Sequence, residues 1–298
     1  MPGAARLTYA IPFYSGRELL ERTIASVLAQ PGNEWTAFVC DNASPEPGIE
    51  ELVKTHGKGR IGYVRNPENV GMAGNFNRCI DLAETDLVTL VHSDDELAPT
   101  YTELILAAAD RHPAAVAVYC RVTIIDADSR PVFSLADRVK DWVNPGSKGE
   151  IELAGEFGMR ALSRGNFILA PTLCFRKSVL GERRFPNTSA FVLDWDLTTS
   201  LVLDGDVIVG IPERAFRYRK HAGQTTDALT KNAARYAEES AFYDRIAKAS
   251  HERGWAKCAE IAGSKRLLKL NLLHVALKSF ATLQFRDARR GYEILRQL

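Results

Sequence analysis

An α/β fold with a mainly parallel central sheet flanked by helices, followed by an all-helical C-terminal extension, is what this 298-residue sequence predicts. Three observations predict it. Short apolar, β-branched runs alternate with amphipathic segments through residue 226, the pattern of strands joined by right-handed helical crossovers. Three of those runs stop abruptly in polar chemistry, at Pro12, Asp41 and His92. From Thr230 onward there is no proline and no strand signal.

The elements follow in order. Leu7 to Ile11 reads as the first strand, stopped by Pro12, with Phe13-Tyr14-Ser15-Gly16 as a loop. Arg17 to Gln30 reads as a helix with Leu20, Ile24, Val27 and Leu28 on one face, ended by Pro31-Gly32. Trp35 to Cys40 is a second strand ending in Asp41, Ile49 to Thr55 a short helix, and Ile61 to Val64 a third strand before Arg65. The polar, glycine-bearing segment Asn66 to Asn77 runs into a helix over Arg78 to Ala83. Leu87 to Val91 is a strand buried on both faces that stops at His92-Ser93-Asp94-Asp95. Thr100 to Arg111 is a helix, and Val116 to Ile125 a long strand interrupted around Arg121. Residues 134–149 read as a loop, Ile151 to Leu162 as a helix, and Thr172 to Phe175 as a strand. Phe191 to Asp196 leads into an apolar helix over Leu197 to Leu203. Val207 to Ile211 and Ala215 to Lys220 read as two further strands.

Composition excludes several classes. Apolar content of 46% and charged content of 25% are those of a globular protein. A net charge of +1 gives no reason to expect a nucleic-acid partner. Five scattered cysteines without C-x-x-C spacing indicate neither a disulfide framework nor a zinc site. No stretch has the length of a signal peptide's apolar region or a membrane span, so the expected location is the cytoplasm.

In a parallel sheet the polar strand ends lie along one edge, where ligands bind in open α/β folds. Asp94 and Asp95 adjoin there. Two like charges about 4 Å apart repel by roughly 4 kcal/mol at an effective dielectric of 20. A divalent cation with oxygen ligands relieves that repulsion; the plainer alternative is a solvated acidic turn. The glycines of Asn66 to Asn77 permit close backbone approach to a ligand, and the helix after them favours an anion. Neither a dinucleotide G-x-G-x-x-G nor a G-x-x-x-x-G-K-[ST] phosphate loop is present.

Six stretches together resemble one family. They are Ile11-Pro12-Phe13-Tyr14, Asp41-Asn42-Ala43-Ser44, Asn66 to Asn77, His92-Ser93-Asp94-Asp95, Asp194-Trp195-Asp196 and Tyr218-Arg219-Lys220-His221. In this order and spacing they resemble the family 2 glycosyltransferases, nucleotide-sugar-dependent inverting enzymes of the Rossmann-like GT-A fold. The resemblance implies a catalytic domain over residues 1–226, with a nucleotide-sugar-binding half at 1–100 and an acceptor half at 101–226, and a helical region at 227–298. It also implies roles. Asp41 would bond the nucleotide base or ribose, Pro12 and Tyr14 would line the base pocket, and Arg65, Asn69 and Gly71 would flank nucleoside and phosphates. Asp95 would be the metal ligand and Asp94 a metal or ribose contact, with Mg²⁺ or Mn²⁺ as the cofactor. The family's motif is commonly Asp-x-Asp; here His92 holds its first position. Asp194 would be the general base, with Trp195 against the substrate, while His221 and Arg219 would meet the metal and the diphosphate. Asp194 and Asp196 are also residue types that cap helices, and at i and i+2 only one of them can face a sugar.

The reaction so implied moves a sugar from a UDP- or dTDP-sugar to a hydroxyl of a glycan, a lipid-linked acceptor or a small molecule, by single displacement. The alternatives are a degenerate protein that binds a nucleotide sugar without turnover, and a sugar nucleotidyltransferase, whose usual basic glycine-rich loop Pro12 to Arg17 matches poorly. The tail from Lys265 mixes Arg266, Lys269 and Lys278 with many leucines. That pattern fits a helical cap, a homo-oligomer contact or a peripheral membrane contact.

Overall fold

The computed structural model describes residues 4–132, 144–187, 191–220 and 233–281. Its first half is a parallel α/β unit. Strand β1 (Leu7–Phe13) leads to helix α1 (Arg17–Leu28), β2 (Trp35–Asp41) to α2 (Ile49–Gly57), and β3 (Ile61–Arg65) to α3 (Gly71–Leu82), before β4 (Leu87–Leu90). A short β5 (Glu96–Leu97) and α4 (Tyr101–Arg111) precede β6 (Ala117–Ile125). Then come β7 (Ile151–Leu153), α5 (Gly155–Leu162), β8 (Leu173–Arg176), α6 (Leu193–Leu203) and β9 (Ile208–Arg219). Three helices close the described chain: α7 (Ala233–Glu252), α8 (Ala256–Ser264) and α9 (Arg266–Ala281).

All nine strands form one sheet, in the order β3-β2-β1-β4-β8-β6-β9-β5, with β7 paired to β9. The first four are mutually parallel; β8 enters antiparallel between β4 and β6, and β6 and β9 are again parallel. The mainly parallel sheet expected from the sequence is therefore present. Helices cover both faces. On one side Leu20 and Ile24 of α1, Leu52 of α2 and Ile105 of α4 pack on Tyr9, Ile11 and Val39. On the other, Phe76 and Ile80 of α3, Met159 of α5 and Leu201 of α6 join Tyr243 of α7 and Leu268 of α9 in a second core. The C-terminal helices thus share a core with the sheet. Trp195 of α6 makes the joint, its ring 4.3 Å from Phe242 and 5.2 Å from Tyr243.

Four expectations are corrected. Strand β1 does not stop at Pro12 but runs to Phe13, with Pro12 opposite Cys40. The carbonyl of Ala10 accepts from Val91 N–H on the β4 side, so Pro12, two residues on, faces the same way, beyond the last β4 residue. Its missing N–H therefore costs no ladder bond. Helix α3 starts at Gly71 rather than Arg78, and Gly71 takes a φ of +77° that glycine adopts without strain. Residues Ile151–Leu153 are a strand and not the start of a helix, because they pair with β9. Residues Ile208–Arg219 are one strand and not two; its register against β6 slips around Arg121, where β9 accommodates Pro212.

Gly210 shows how tightly that junction is built. A Cβ there would lie 2.5 Å from the Tyr119 ring. Gly210→Ala should lower the thermal midpoint by an amount equivalent to about 1–3 kcal/mol. Gly149→Ala, at an extended position with no atom within 4 Å, should leave the midpoint unchanged. Equal midpoints for the two variants would show that the β6–β9 junction gives way.

Candidate active site

The parallel register brings the ends of β1, β2 and β3 side by side, with Phe13 opposite Asp41 and Asp41 opposite Arg65. Asp41 is fully buried, and its carboxylate is organised before any ligand arrives. Oδ1 accepts from Ser44 N–H at 2.7 Å; Oδ2 accepts from Tyr63 O–H at 2.6 Å and from Arg65 Nη1 at 2.5 Å. Burial, together with the bond to Asp41, pushes the Tyr63 hydroxyl up to about 12, so it stays a donor. A carboxylate offers about four lone-pair directions, so one remains for a ligand. Arg65 also reaches the Ser44 carbonyl at 2.9 Å, and its side chain is half exposed beside a cleft lined by Pro45, Glu46, Gly48 and Tyr63. Pro12 is buried at the end of β1, and Tyr14, just beyond it, is exposed.

Asn69 and Gly71 are exposed, yet both are tied into the fold by hydrogen bonds. Asn69 Oδ1 accepts from Gly71 N–H and from Asn42 Nδ2, both at 2.9 Å. The Gly71 carbonyl accepts from Asn42, and Asn42 Oδ1 accepts from Val70 N–H at 3.0 Å. Buried Asn66 and Asn75 continue the network to the Cys40 carbonyl. The asparagines therefore clamp the start of α3 onto the end of β2, and the first amides of α3 are occupied by side-chain oxygens. Glu46 does the same for α1, accepting from Gly16 N–H and Arg17 N–H. A run of asparagines marks such a clamp in sequence, but their partners come from three separate segments.

After β4 the chain folds back at once. Asp95 N–H donates to the His92 carbonyl at 3.1 Å, closing a turn over His92-Ser93-Asp94-Asp95. The turn gathers one ligand atom from each of His92, Asp94 and Asp95 within 4.8 Å of one another. Asp95 is fully buried; its Oδ1 accepts from Arg219 N–H at 2.8 Å and its Oδ2 has no partner. Burial first, and the Asp94 charge second, push the Asp95 carboxyl well above the usual range. An orphaned, buried carboxylate oxygen beside another carboxylate is what a divalent cation satisfies, so these residues fit a metal.

Arg219 is present at the site but not as a phosphate contact. It is fully buried, and its five N–H donors meet five acceptors. Nε donates to the Asp94 carbonyl, Nη1 to the carbonyls of Asp126 and Ala127, and Nη2 to Glu96 and Ser129 Oγ. Its side chain and main-chain N–H together hold the acidic turn, through the Asp94 carbonyl and the Asp95 carboxylate. Trp195 likewise is buried, with Nε1 donating to the Leu162 carbonyl at 2.9 Å, and it lines a core rather than a pocket.

Asp194 lies in the first turn of α6. Its Oδ1 accepts from Asn166 Nδ2 at 3.0 Å and its own helix's Trp195 N–H at 2.8 Å; Oδ2 accepts from Ala170 N–H at 3.1 Å. Residues Ala170–Thr172 touch β4 and precede β8, whose Cys174 pairs antiparallel with Thr89. Asp194 is thus tied to the edge where β4 ends. Asp196 points elsewhere and pairs with Arg245 of α7 at 2.5 Å. Asn166 was not foreseen, since nothing in a lone asparagine before a strand shows which carboxylate it will hold. His221 lies outside the described residues, as do residues 134–143 of the loop expected at 134–149.

Comparison with known proteins agrees with this geometry. Residues 8–180 match the family model described as Glycosyl transferase family 2. Among curated proteins, the chain is 35% identical over 102 residues to "Succinoglycan biosynthesis protein ExoW" of Rhizobium meliloti, covering 33% of this chain and 32% of that one. It is 30% identical over 98 residues to "Putative colanic acid biosynthesis glycosyl transferase WcaA" of Escherichia coli, covering 33% and 35%. The chain thus spans about a third of the length of the curated relatives it matches. Among solved structures, S. aureus TarS 1-349 in complex with UDP-GlcNAc superposes with a TM-score of 0.63 at 16% identity, over 98% of this chain and 92% of that one. The mannosyltransferase PcManGT of Pyrobaculum calidifontis, in complex with GDP-Man and Mn2+, gives 0.56 at 16% identity, over 97% and 74%. At such identities these two show a shared fold.

The buried guanidinium generates a prediction about stability. Arg219→Met takes the buried cation from the Glu96 carboxylate and a donor from each of the carbonyls of Asp94, Asp126 and Ala127, and should cost about 3–5 kcal/mol in chemical denaturation. A loss under about 1 kcal/mol would show that the turn holds itself.

Proposed function

The chain belongs to glycosyl transferase family 2, and from that premise we propose that it transfers a sugar from a nucleoside-diphosphate sugar to an acceptor hydroxyl in polysaccharide assembly. The observation that carries the proposal is the meeting, at one sheet edge, of a preorganised carboxylate at Asp41, an acidic turn with an orphaned oxygen at Asp95, and a held carboxylate at Asp194.

The remaining acceptor direction on Asp41 suits the imide N–H of a uracil or thymine base, with Arg65 beside it and the exposed Tyr14 ring as a stacking face. A UDP- or dTDP-sugar is the favoured donor. Asp94 and Asp95 would hold Mg²⁺ or Mn²⁺, with His221 as a further ligand. When bound, the metal offsets the charge the diphosphate gains on leaving. Asp194 takes the proton of the attacking acceptor hydroxyl. Its hydrogen bonds to Asn166, Ala170 and Trp195 fix its direction, and a positioned base of this kind contributes about 10²–10⁴-fold. Single displacement from the face opposite the diphosphate inverts the anomeric centre. The acceptor is a growing glycan, a lipid-linked sugar or a small molecule.

A peripheral membrane contact fits a lipid-linked acceptor. Among the described residues no helix is long and apolar enough to cross a membrane. Helix α9 buries Leu268 and Leu272 but exposes Arg266, Leu270 and Leu273 along one stripe. Residues 265–298 carry eight basic and two acidic side chains, although the whole chain has a net charge of only +1. That charge suits an anionic bilayer surface. Flotation with phosphatidylglycerol vesicles at low salt should carry the protein up, and Leu270→Glu/Leu273→Glu should abolish this. If the wild type stays at the bottom of the gradient as a dimer, the stripe is a contact between copies.

Calorimetric titration of UDP, dTDP and GDP, with and without Mn²⁺, tests the central reading. One diphosphate should bind in a metal-dependent way, and Asp95→Asn should lose that binding. Asp194→Asn should bind it unchanged while release of nucleoside diphosphate from the cognate donor falls about 10²–10⁴-fold. Binding without turnover of any sugar conjugate in the wild type points to the degenerate, non-catalytic alternative; release of pyrophosphate points to nucleotidyl transfer.

A further inference from the structure

The residue that departs from the family's acidic pattern is built into the site as firmly as the carboxylates. His92 occupies the first position of the turn, and its imidazole stacks on Phe76 of α3 with ring centroids 5.1 Å apart and planes at 27°. Phe76 is itself pinned edge-on by Phe185 at 5.4 Å. The His92 ring is therefore oriented by aromatic packing. Its Nε2 atom is buried and has no hydrogen-bond partner, the same condition as Asp95 Oδ2. A neutral imidazole nitrogen left without a partner costs free energy unless a ligand satisfies it. One nitrogen of this ring lies within 4.8 Å of an oxygen of Asp94 and an oxygen of Asp95, the spacing of atoms that share one ion.

From this geometry, and resting on the metal-site reading given above, we propose that His92 is a metal ligand and that it makes the site select Mn²⁺ and other nitrogen-accepting transition-metal dications over Mg²⁺. The chemistry follows from ligand type. Mg²⁺ is bound through oxygen, keeps its waters and gains little from imidazole. Imidazole suits first-row transition metals, whose affinity for mixed nitrogen and oxygen sites rises along the series after Mn²⁺. An aspartate at position 92 would set a third oxygen beside the two carboxylates, whereas histidine sets a nitrogen there. The stack on Phe76 holds the ring, and with it that nitrogen, at a fixed place.

Mn²⁺ is the probe, read by electron paramagnetic resonance without sugar turnover. The wild type should bind Mn²⁺ at least tenfold more tightly than Mg²⁺ in competition. Pulsed measurements on the Mn²⁺-loaded protein should show the ¹⁴N coupling of a directly bound imidazole. In His221→Ala, which removes the other candidate nitrogen, that coupling should remain; adding His92→Phe, which keeps an aromatic ring against Phe76, should remove it and cost at least tenfold in Mn²⁺ affinity. His92→Asp should retain binding but shift the Mn²⁺/Mg²⁺ ratio at least tenfold toward Mg²⁺. Loss of the ¹⁴N coupling in His221→Ala alone, or its persistence in His221→Ala/His92→Phe, overturns the proposal, as does an unchanged metal ratio in His92→Asp. Those results leave the metal site standing as long as Asp95→Asn abolishes Mn²⁺ binding. No Mn²⁺ binding by the wild type would remove the metal site itself.

Discussion

One buried guanidinium holds the site together. Arg219 ends β9, and its N–H groups reach the Asp94 carbonyl, the Glu96 carboxylate and the turn at Asp126 to Ser129. Its main-chain N–H meets Asp95. Its charge opposes the buried carboxylate of Asp95 that β4 delivers into the turn. The arrangement satisfies the requirement that a buried charge be paired and hydrogen-bonded. It also fixes Asp94 and Asp95 relative to the end of β9, the strand that leads to His221. The price is that this arginine has no donor left for a phosphate.

The same logic of internal satisfaction recurs on the nucleotide side. Asp41 is met by three donors, Asn42 by Asn66, Asn69, Val70 and Gly71, and the first amides of α1 and α3 by Glu46, Asn42 and Asn69. A ligand here meets side chains already locked in place, and little ordering entropy is left to lose when it binds. Recognition then falls to the few atoms with spare capacity: one lone-pair direction on Asp41, the half-exposed Arg65, the Tyr14 ring and Asp95 Oδ2.

The sequence shows the parallel half of the sheet clearly, because its strands are buried on both faces and its helices have strong apolar periodicity. Ile151–Leu153 and Ile208–Arg219 were not legible, since both are decided by pairing across distant segments. Ile151 to Leu162 has helical composition throughout, and only β9 makes its first three residues a strand. Pro12 misleads for a related reason: whether its missing N–H matters depends on where the neighbouring strand ends. At the site, Asp41, Asp94, Asp95 and Asp194 could be read because a carboxylate after an apolar run is rare and conspicuous. Arg219 and Trp195 sit among those residues in sequence, and nothing local distinguishes an arginine that binds phosphate from one that is spent on the backbone. His92 has the opposite history. In sequence it is a lost aspartate, and only the stack on Phe76 and the orphaned Nε2 show it as a gained nitrogen.

The C-terminal helices belong to this argument too. Asp194 and Asp196 stand two residues apart in α6, and the helix turns them to different tasks. Asp194 is held by Asn166 and Ala170 at the sheet edge, while Asp196 pairs with Arg245 of α7. Trp195, between them, is clamped by Phe242 and Tyr243 of the same helix. A rotation of α6 by one residue, about 100°, would break all three arrangements at once. The helical extension therefore helps set the direction in which the candidate base points, through the residues that flank it. Because α7 to α9 share a core with the sheet, a force on the exposed stripe of α9 acts on a body continuous with α6. The proposed docking stripe and the candidate base then belong to one packed core.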